Sequence, residues 1–173
     1  ILTIIYLYRF TTYFKMKYWW AVFLFLIIDP LFIAYSVLIN SDLLSGFILL
    51  ATVFHLIKYL FQKEEKQFYI ASLFLAIGLV TKHSFLFFVP LFWLFILHTN
   101  KKIDWKKLLS FILIIMLVIN SVFYFHHSFK SLGAYHFESN TFKNIQNSLT
   151  FLDWLPIPLP ENYLQSIDLS QYH

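Results

Sequence analysis

The feature that most constrains this chain is a series of apolar runs long enough to cross a membrane, separated by short basic blocks. A hydrocarbon core of about 30 Å takes about 20 helical residues. By that measure residues 18–39, 43–61 and 108–125 each read as a span, and residues 1–8 as the end of a truncated one. Residues 68–98 are too long for one span and short for two. The sequence is 60% hydrophobic and 13% charged, about half the charged share of an ordinary soluble domain. The expected fold is therefore an all-α integral membrane protein, a multispan helical bundle.

Lysine placement decides how residues 68–98 are used. Basic residues close to span ends mark cytoplasmic loops. Here they form three blocks: Arg9, Lys15 and Lys17; Lys63 and Lys66; then Lys101, Lys102, Lys106 and Lys107. One span over 68–98 would put the second and third blocks on opposite sides. A hairpin turning at Lys82–His83 keeps all three on one side. It also spares Lys82 the bilayer centre, where a charge costs about 2.5–3.5 kcal/mol. Arms at 68–81 and 84–98, each about 22 Å long at 1.5 Å per residue, set the turn at or just below the outer interface.

The same reading puts Asn40–Asp42 outside. It divides the chain into a transmembrane region, 1–125, and an extracytoplasmic or interfacial segment, 126–173. In the latter, "LPIPLP" at 155–160 blocks a helix by fixing φ and removing donors. A short amphipathic stretch is expected near 142–151, with Trp154 and Tyr163 suited to the interface. Ile1 opens inside an apolar run, with no initiator methionine or signal peptide, so the chain is expected to be an internal fragment.

Composition excludes several chemistries. No cysteine is present, which removes disulfides, thiol nucleophiles and thiolate metal sites. The basic residues lie between apolar runs and suggest no nucleic-acid partner. Gly46, Gly78 and Gly133 are isolated, so no glycine-rich phosphate loop exists. His83, His126, His127 and His136 lack any defined ligand spacing.

Three charged positions stand out. Asp42 opens a span after Asn40 and Ser41; it reads either as a helix cap or as a carboxylate facing an outward cavity. Lys82 reads as a snorkelling lysine or as an ammonium for a lipid-carrier phosphate, since intramembrane charges are functional hypotheses by default. Asp29 precedes Pro30, a helix-start signal that predicts a span broken into two half-helices. His55 and Lys58 read as packed or snorkelling.

These residues resemble a known family. "DPLFIAYSVLINSDLLSGFILLATVFHLIKYL" is similar to the segment of lipid-carrier-dependent glycosyltransferases in which a Pro-containing span leads to a Ser-Asp pair opening the next helix. "FYIASLFLAIGLVTKHSFLFFVPLFWLF" resembles their following hairpin, and "LPIPLPENYLQSIDL" an outer-loop stretch where Pro-Leu-Pro precedes a tyrosine and a Gly-Leu-Asp; Ser166 stands at the glycine. The relatives are the protein O-mannosyltransferases and aminoarabinose lipid A transferases, of GT-C fold. The resemblance implies sugar transfer from a polyprenyl-phosphate carrier to a protein, lipid or glycan acceptor on the extracytoplasmic face, in a bacterial inner membrane.

It further implies Asp42 as a catalytic candidate, and Lys82, His83 and Asp29 as substrate-binding residues. The main catalytic base is expected on an acidic outer loop that the chain lacks, leaving the fragment inactive alone. Asp42 could instead hold a divalent cation, for which no motif stands. The competing readings are a fragment of a transporter, in which the Asp29–Pro30 break would suit a discontinuous helix, and a non-catalytic membrane subunit.

Overall fold

The structure, a computed structural model, describes residues 1–37, 41–100 and 104–172. Leu38 to Asn40, the Lys101–Lys102 pair and His173 lie outside the described residues, and with them part of the expected Asn40–Asp42 turn and of the third basic block. Among the described residues the chain is helical, with one isolated β-bridge, Ser131 to Pro156. Two helices, Ser41–Gln62 and Trp105–Val122, are long and apolar enough to cross a bilayer. The chain forms two compact units, Ile1–Trp105 and Lys106–His173.

In the first unit, α1 (Leu2–Tyr13), α2 (Trp19–Ile28) and α3 (Pro30–Val37) lead into α4 (Ser41–Gln62) and α5 (Glu65–Thr81). The helix break falls at Asp29, as the Asp-Pro pair predicts. Asp29 is extended (φ −68°, ψ 110°), and its carbonyl accepts from the Ile33 N–H at 3.2 Å to start α3. Pro30, with no N–H to lose, takes the first helical position. The unit's core is the antiparallel pair α4/α5, which buries Ile48, Ala51, Phe68, Ala71, Leu75 and Ala76. Small residues such as Ala51, Ala71 and Ser72 are fully covered there, which lets the two backbones approach closely.

After α5 the chain turns at Lys82, winds through a 3-10 turn (His83–Phe87) and returns as α6 (Phe88–Asn100). The rings of Phe92 and Trp93 lie 5.9 and 6.2 Å from that of Phe68, near the start of α5. Thus α6 runs back along the helix that precedes it. α1 runs parallel to α4: Thr3 and Leu7 sit with Asp42 and Gly46, whereas Phe10 and Tyr13 pack on Phe54. The chain order then brings Lys15, Lys17, Lys63 and Lys66 to one end of the unit and Asp42 and Lys82 to the other.

The second unit comprises α7 (Trp105–Val122, all but its first residue), α8 (Asn140–Ser148) and α9 (Glu161–Tyr172). α7 starts and ends three residues earlier than the apolar run 108–125 suggests. The Phe125 N–H donates to the Asn120 carbonyl at 2.8 Å, and Tyr124, Phe125, His127 and Phe129 have left-handed φ between 52° and 65°. The chain therefore curls away from the helix axis at Phe123. Segments around Phe129–Gly133 and Asp153–Ile157 exchange backbone hydrogen bonds of 2.9–3.1 Å. The prolines at 156, 158 and 160 supply carbonyls only. Asn120 Nδ2 donates to the Pro158 carbonyl (2.9 Å) and the Tyr135 hydroxyl to that of Leu159 (3.3 Å).

Candidate functional site

Because α4 and α5 are antiparallel, the first turn of one lies beside the last turn of the other. Asp42 occupies the first turn of α4, where a carboxylate interacts favourably with the helix dipole. Lys82 follows the last residue of α5 with an extended backbone (φ −155°, ψ 127°); its N–H still donates to the Gly78 carbonyl and its own carbonyl accepts from Phe85. This geometry directs Lys82 back over the start of α4. Its Nζ lies 2.5 Å from Asp42 Oδ1. Both side chains remain about half exposed, at 47% and 49%. An exposed pair of this kind contributes about 0–1 kcal/mol, so an incoming anion or cation can exchange with either partner at small cost.

Asp42 also lines a cavity of about 360 Å³ together with Asp29, Thr3, Tyr35 and Gly46. The remaining walls are apolar, from Leu7, Phe32, Leu43, Phe47 and Leu50. At Gly46 a Cβ would meet no atom within 4 Å, so open space lies beside that position. Apolar walls with a few convergent polar groups are the usual make-up of a small-molecule site. The Asp29–Pro30 break is what brings a second carboxylate here, because the chain leaves α2 at that residue. Two acidic positions far apart in sequence, 29 and 42, thus share one cavity, and the Lys82 cation touches its edge through Asp42.

His83 does not join them. It opens the 3-10 turn, half-buried, and is not among the residues lining the cavity. Of the other histidines, His126 and His127 are exposed with ring centroids 4.1 Å apart. Among the described residues no group of three or more His, Asp or Glu is arranged to hold a metal ion.

Two polar clusters were not visible to sequence reasoning. His55 is buried inside the first unit and engages both ring nitrogens: Nδ1 with Gln67 Oε1 (2.6 Å) and Nε2 with the Tyr6 hydroxyl (3.1 Å). Gln67 Nε2 donates to Glu64 Oε2 at 2.7 Å. With Gln67 oriented by that bond, His55 donates from Nδ1 and accepts from Tyr6 at Nε2. His55 also stacks on Phe74, 5.7 Å between centroids.

In the second unit Asp168, 1% exposed, accepts from the backbone N–H of Glu138 (2.5 Å) and of Ser139 (3.1 Å), and from the Ser139 hydroxyl (2.5 Å). Burial alone would raise its pKa, but these hydrogen bonds and nearby Lys143 outweigh it and hold the carboxyl below its ordinary value. Tyr163 is 3% exposed beneath Phe123, and burial pushes its phenol up to about 12. Trp154 is 73% exposed.

No protein-family model matches the chain, and no curated protein or solved structure matches it.

Proposed function

We propose that this chain is part of a multispan membrane glycosyltransferase that transfers a sugar from a polyprenyl-phosphate carrier to an acceptor on the extracytoplasmic face. The observation that carries this reading is the Asp42–Lys82 pair at the rim of the Asp29-lined cavity. In such a transfer the acceptor hydroxyl attacks the anomeric carbon and gives its proton to the base expected on the acidic outer loop, the bond from that carbon to the phosphate oxygen breaks, and the carrier phosphate departs with the bonding electrons. A cation beside the departing phosphate stabilises the charge that develops. Lys82 fills that role, held by Asp42 until the donor arrives. Carboxylates in the cavity bind sugar hydroxyls and orient the acceptor, and Asp42 and Asp29 are the two that this cavity offers.

The bilayer supplies the remaining logic. A carrier phosphate rides at headgroup depth, and a lysine at the turn between two short helices can meet it there without entering the hydrocarbon. The basic residues gathered at the opposite end of the first unit favour the cytoplasm for that end, which leaves the Asp42–Lys82 end outward.

The test is transfer of labelled sugar from a polyprenyl-phosphate donor by membranes carrying the full-length protein. Asp42→Asn and Lys82→Gln are expected to lower transfer by about 100-fold or more with unchanged protein levels. Wild-type rates in both variants would remove the pair from the site and the reading with it.

A further inference from the structure

A second cavity, of about 390 Å³, lies at the α1–α2 turn and is lined by Tyr8, Thr11, Thr12, Lys15, Met16 and Trp19. Local backbone builds it. α1 stops at Tyr13, and Lys15 adopts φ 50°, a left-handed conformation uncommon for a residue with a side chain. The N–H of Lys15 donates to the Thr12 carbonyl (3.1 Å) and that of Met16 to the Thr11 carbonyl (3.0 Å). The Phe14 N–H takes the Phe10 carbonyl at 3.1 Å. The reversal brings Trp19 back onto Tyr8, with centroids 6.1 Å apart and rings at 81°.

The α1–α2 segment itself carries charge of one sign, and the acidic residues at this end of the unit, Glu64 and Glu65, belong to the α4–α5 turn. Residues 1–28 contain Arg9, Lys15 and Lys17 and no aspartate or glutamate. Arg9 lies over the Tyr6 ring and Lys17 over the Tyr18 ring, whereas Lys15 lines the cavity. The Phe10, Thr11 and Thr12 carbonyls at the negative end of α1 are already occupied by N–H donors, so they repel an anion less than open ones would. The N-terminus of α2, ten residues long, contributes its positive end at Trp19. Thr12 is exposed at the wall and brings a hydroxyl. Cation, hydroxyl and helix N-terminus together suit a phosphate oxygen.

The rim says which phosphate. Tyr8, Met16, Tyr18, Trp19 and Trp20 are all between 44% and 61% exposed, and Trp and Tyr favour the headgroup level of a bilayer. We propose that this cavity binds the phosphodiester headgroup of an anionic lipid, independently of the sugar-transfer site at the other end of the unit. Its chemistry would also admit a free phosphate monoester, so the two sources have to be told apart.

The experiment is native mass spectrometry of the full chain released from nanodiscs holding equal amounts of phosphatidylcholine and phosphatidylglycerol. Retained lipid is expected to be enriched in phosphatidylglycerol about fivefold, the effect of one lysine near an anionic surface. Lys15→Gln should reduce that enrichment to parity and Lys15→Arg should keep it. Lys63→Gln, at an exposed lysine of similar backbone conformation (φ 55°), should leave it unchanged. Equal losses in Lys15→Gln and Lys63→Gln, or no loss in either, overturn the site. Saturable binding of inorganic phosphate or glycerol 3-phosphate that depends on Lys15, without lipid enrichment, overturns the lipid assignment in favour of a soluble anion.

Discussion

The ring of Phe85 occupies the space that a side chain on Gly78 would take, and this contact closes the turn that carries Lys82. Gly78 lies one turn before the end of α5 and its carbonyl accepts from both the Lys82 N–H and the Thr81 hydroxyl, each at 2.9 Å. By propensity alone, Gly→Ala within a helix stabilises by about 1 kcal/mol. Here the new methyl overlaps the buried Phe85 ring, and overpacking of that kind costs about 1–3 kcal/mol. Gly78→Ala is therefore expected to lower the thermal midpoint in detergent. Phe85→Leu, which gives the methyl room, should recover part of the loss.

Asp42 and Lys82 give the opposite expectation for stability. Their exposure limits the pair to about 0–1 kcal/mol, so a double-mutant cycle with Asp42→Asn and Lys82→Gln should show a coupling within that range in thermal unfolding. The same cycle read on sugar transfer should be strongly non-additive, the second substitution adding little to the first, because the proposed mechanism has the two residues serve one step. A large coupling in stability with none in transfer would make the pair a structural clasp.

Local features of the site were legible in the sequence because they depend on local chemistry. Pro30 cannot continue a hydrogen-bonded ladder, so the break at Asp29 is written in two adjacent residues. Lys82 stands out because a charge is costly among apolar neighbours. The contact between Asp42 and Lys82 depends on the register of α4 against α5, which residue spacing alone does not specify. The same holds for His55 with Gln67, where the helix turn at Lys63 sets the alignment, and for Asp168, whose partners lie about thirty residues earlier. The burial of Tyr163 is not legible either, because an aromatic with a hydroxyl suits both a membrane rim and a covered core, and its cover comes from tertiary packing against Phe123.

The His55–Gln67 link makes a separate prediction. Both residues are buried, each is the other's partner, and their bond is 2.6 Å long. Gln67→Leu leaves the His55 Nδ1–H without an acceptor and is expected to cost about 1–3 kcal/mol. The double variant His55→Phe, Gln67→Leu removes both polar groups and keeps a ring against Phe74, so it should be more stable than Gln67→Leu alone. Tyr6 loses its partner in that double variant, so full recovery is not expected unless Tyr6→Phe is added. Thermal unfolding of the four proteins in one detergent checks the order.

Asp168 ties stability of the second unit to pH. Its folded carboxyl titrates below the unfolded value, about 3.9, so its stabilisation is complete above that pH and is lost as pH falls through the folded pKa. Asp168→Asn turns an acceptor-only group into one that presents an amide to three donors, from Glu138 N–H, Ser139 N–H and the Ser139 hydroxyl. At neutral pH this variant is expected to lose about 1–3 kcal/mol, with the Glu138–Ser139 backbone and the capped start of α8 loosening first, since the Ser139 hydroxyl also caps Phe142 N–H. Hydrogen exchange at residues 138–142 should be faster in the variant at pH 7. The stability gap between the two proteins should narrow as pH is lowered through 4 towards 3. A gap that stays constant over that range would mean that the carboxylate's charge contributes nothing and that the loss comes from shape alone.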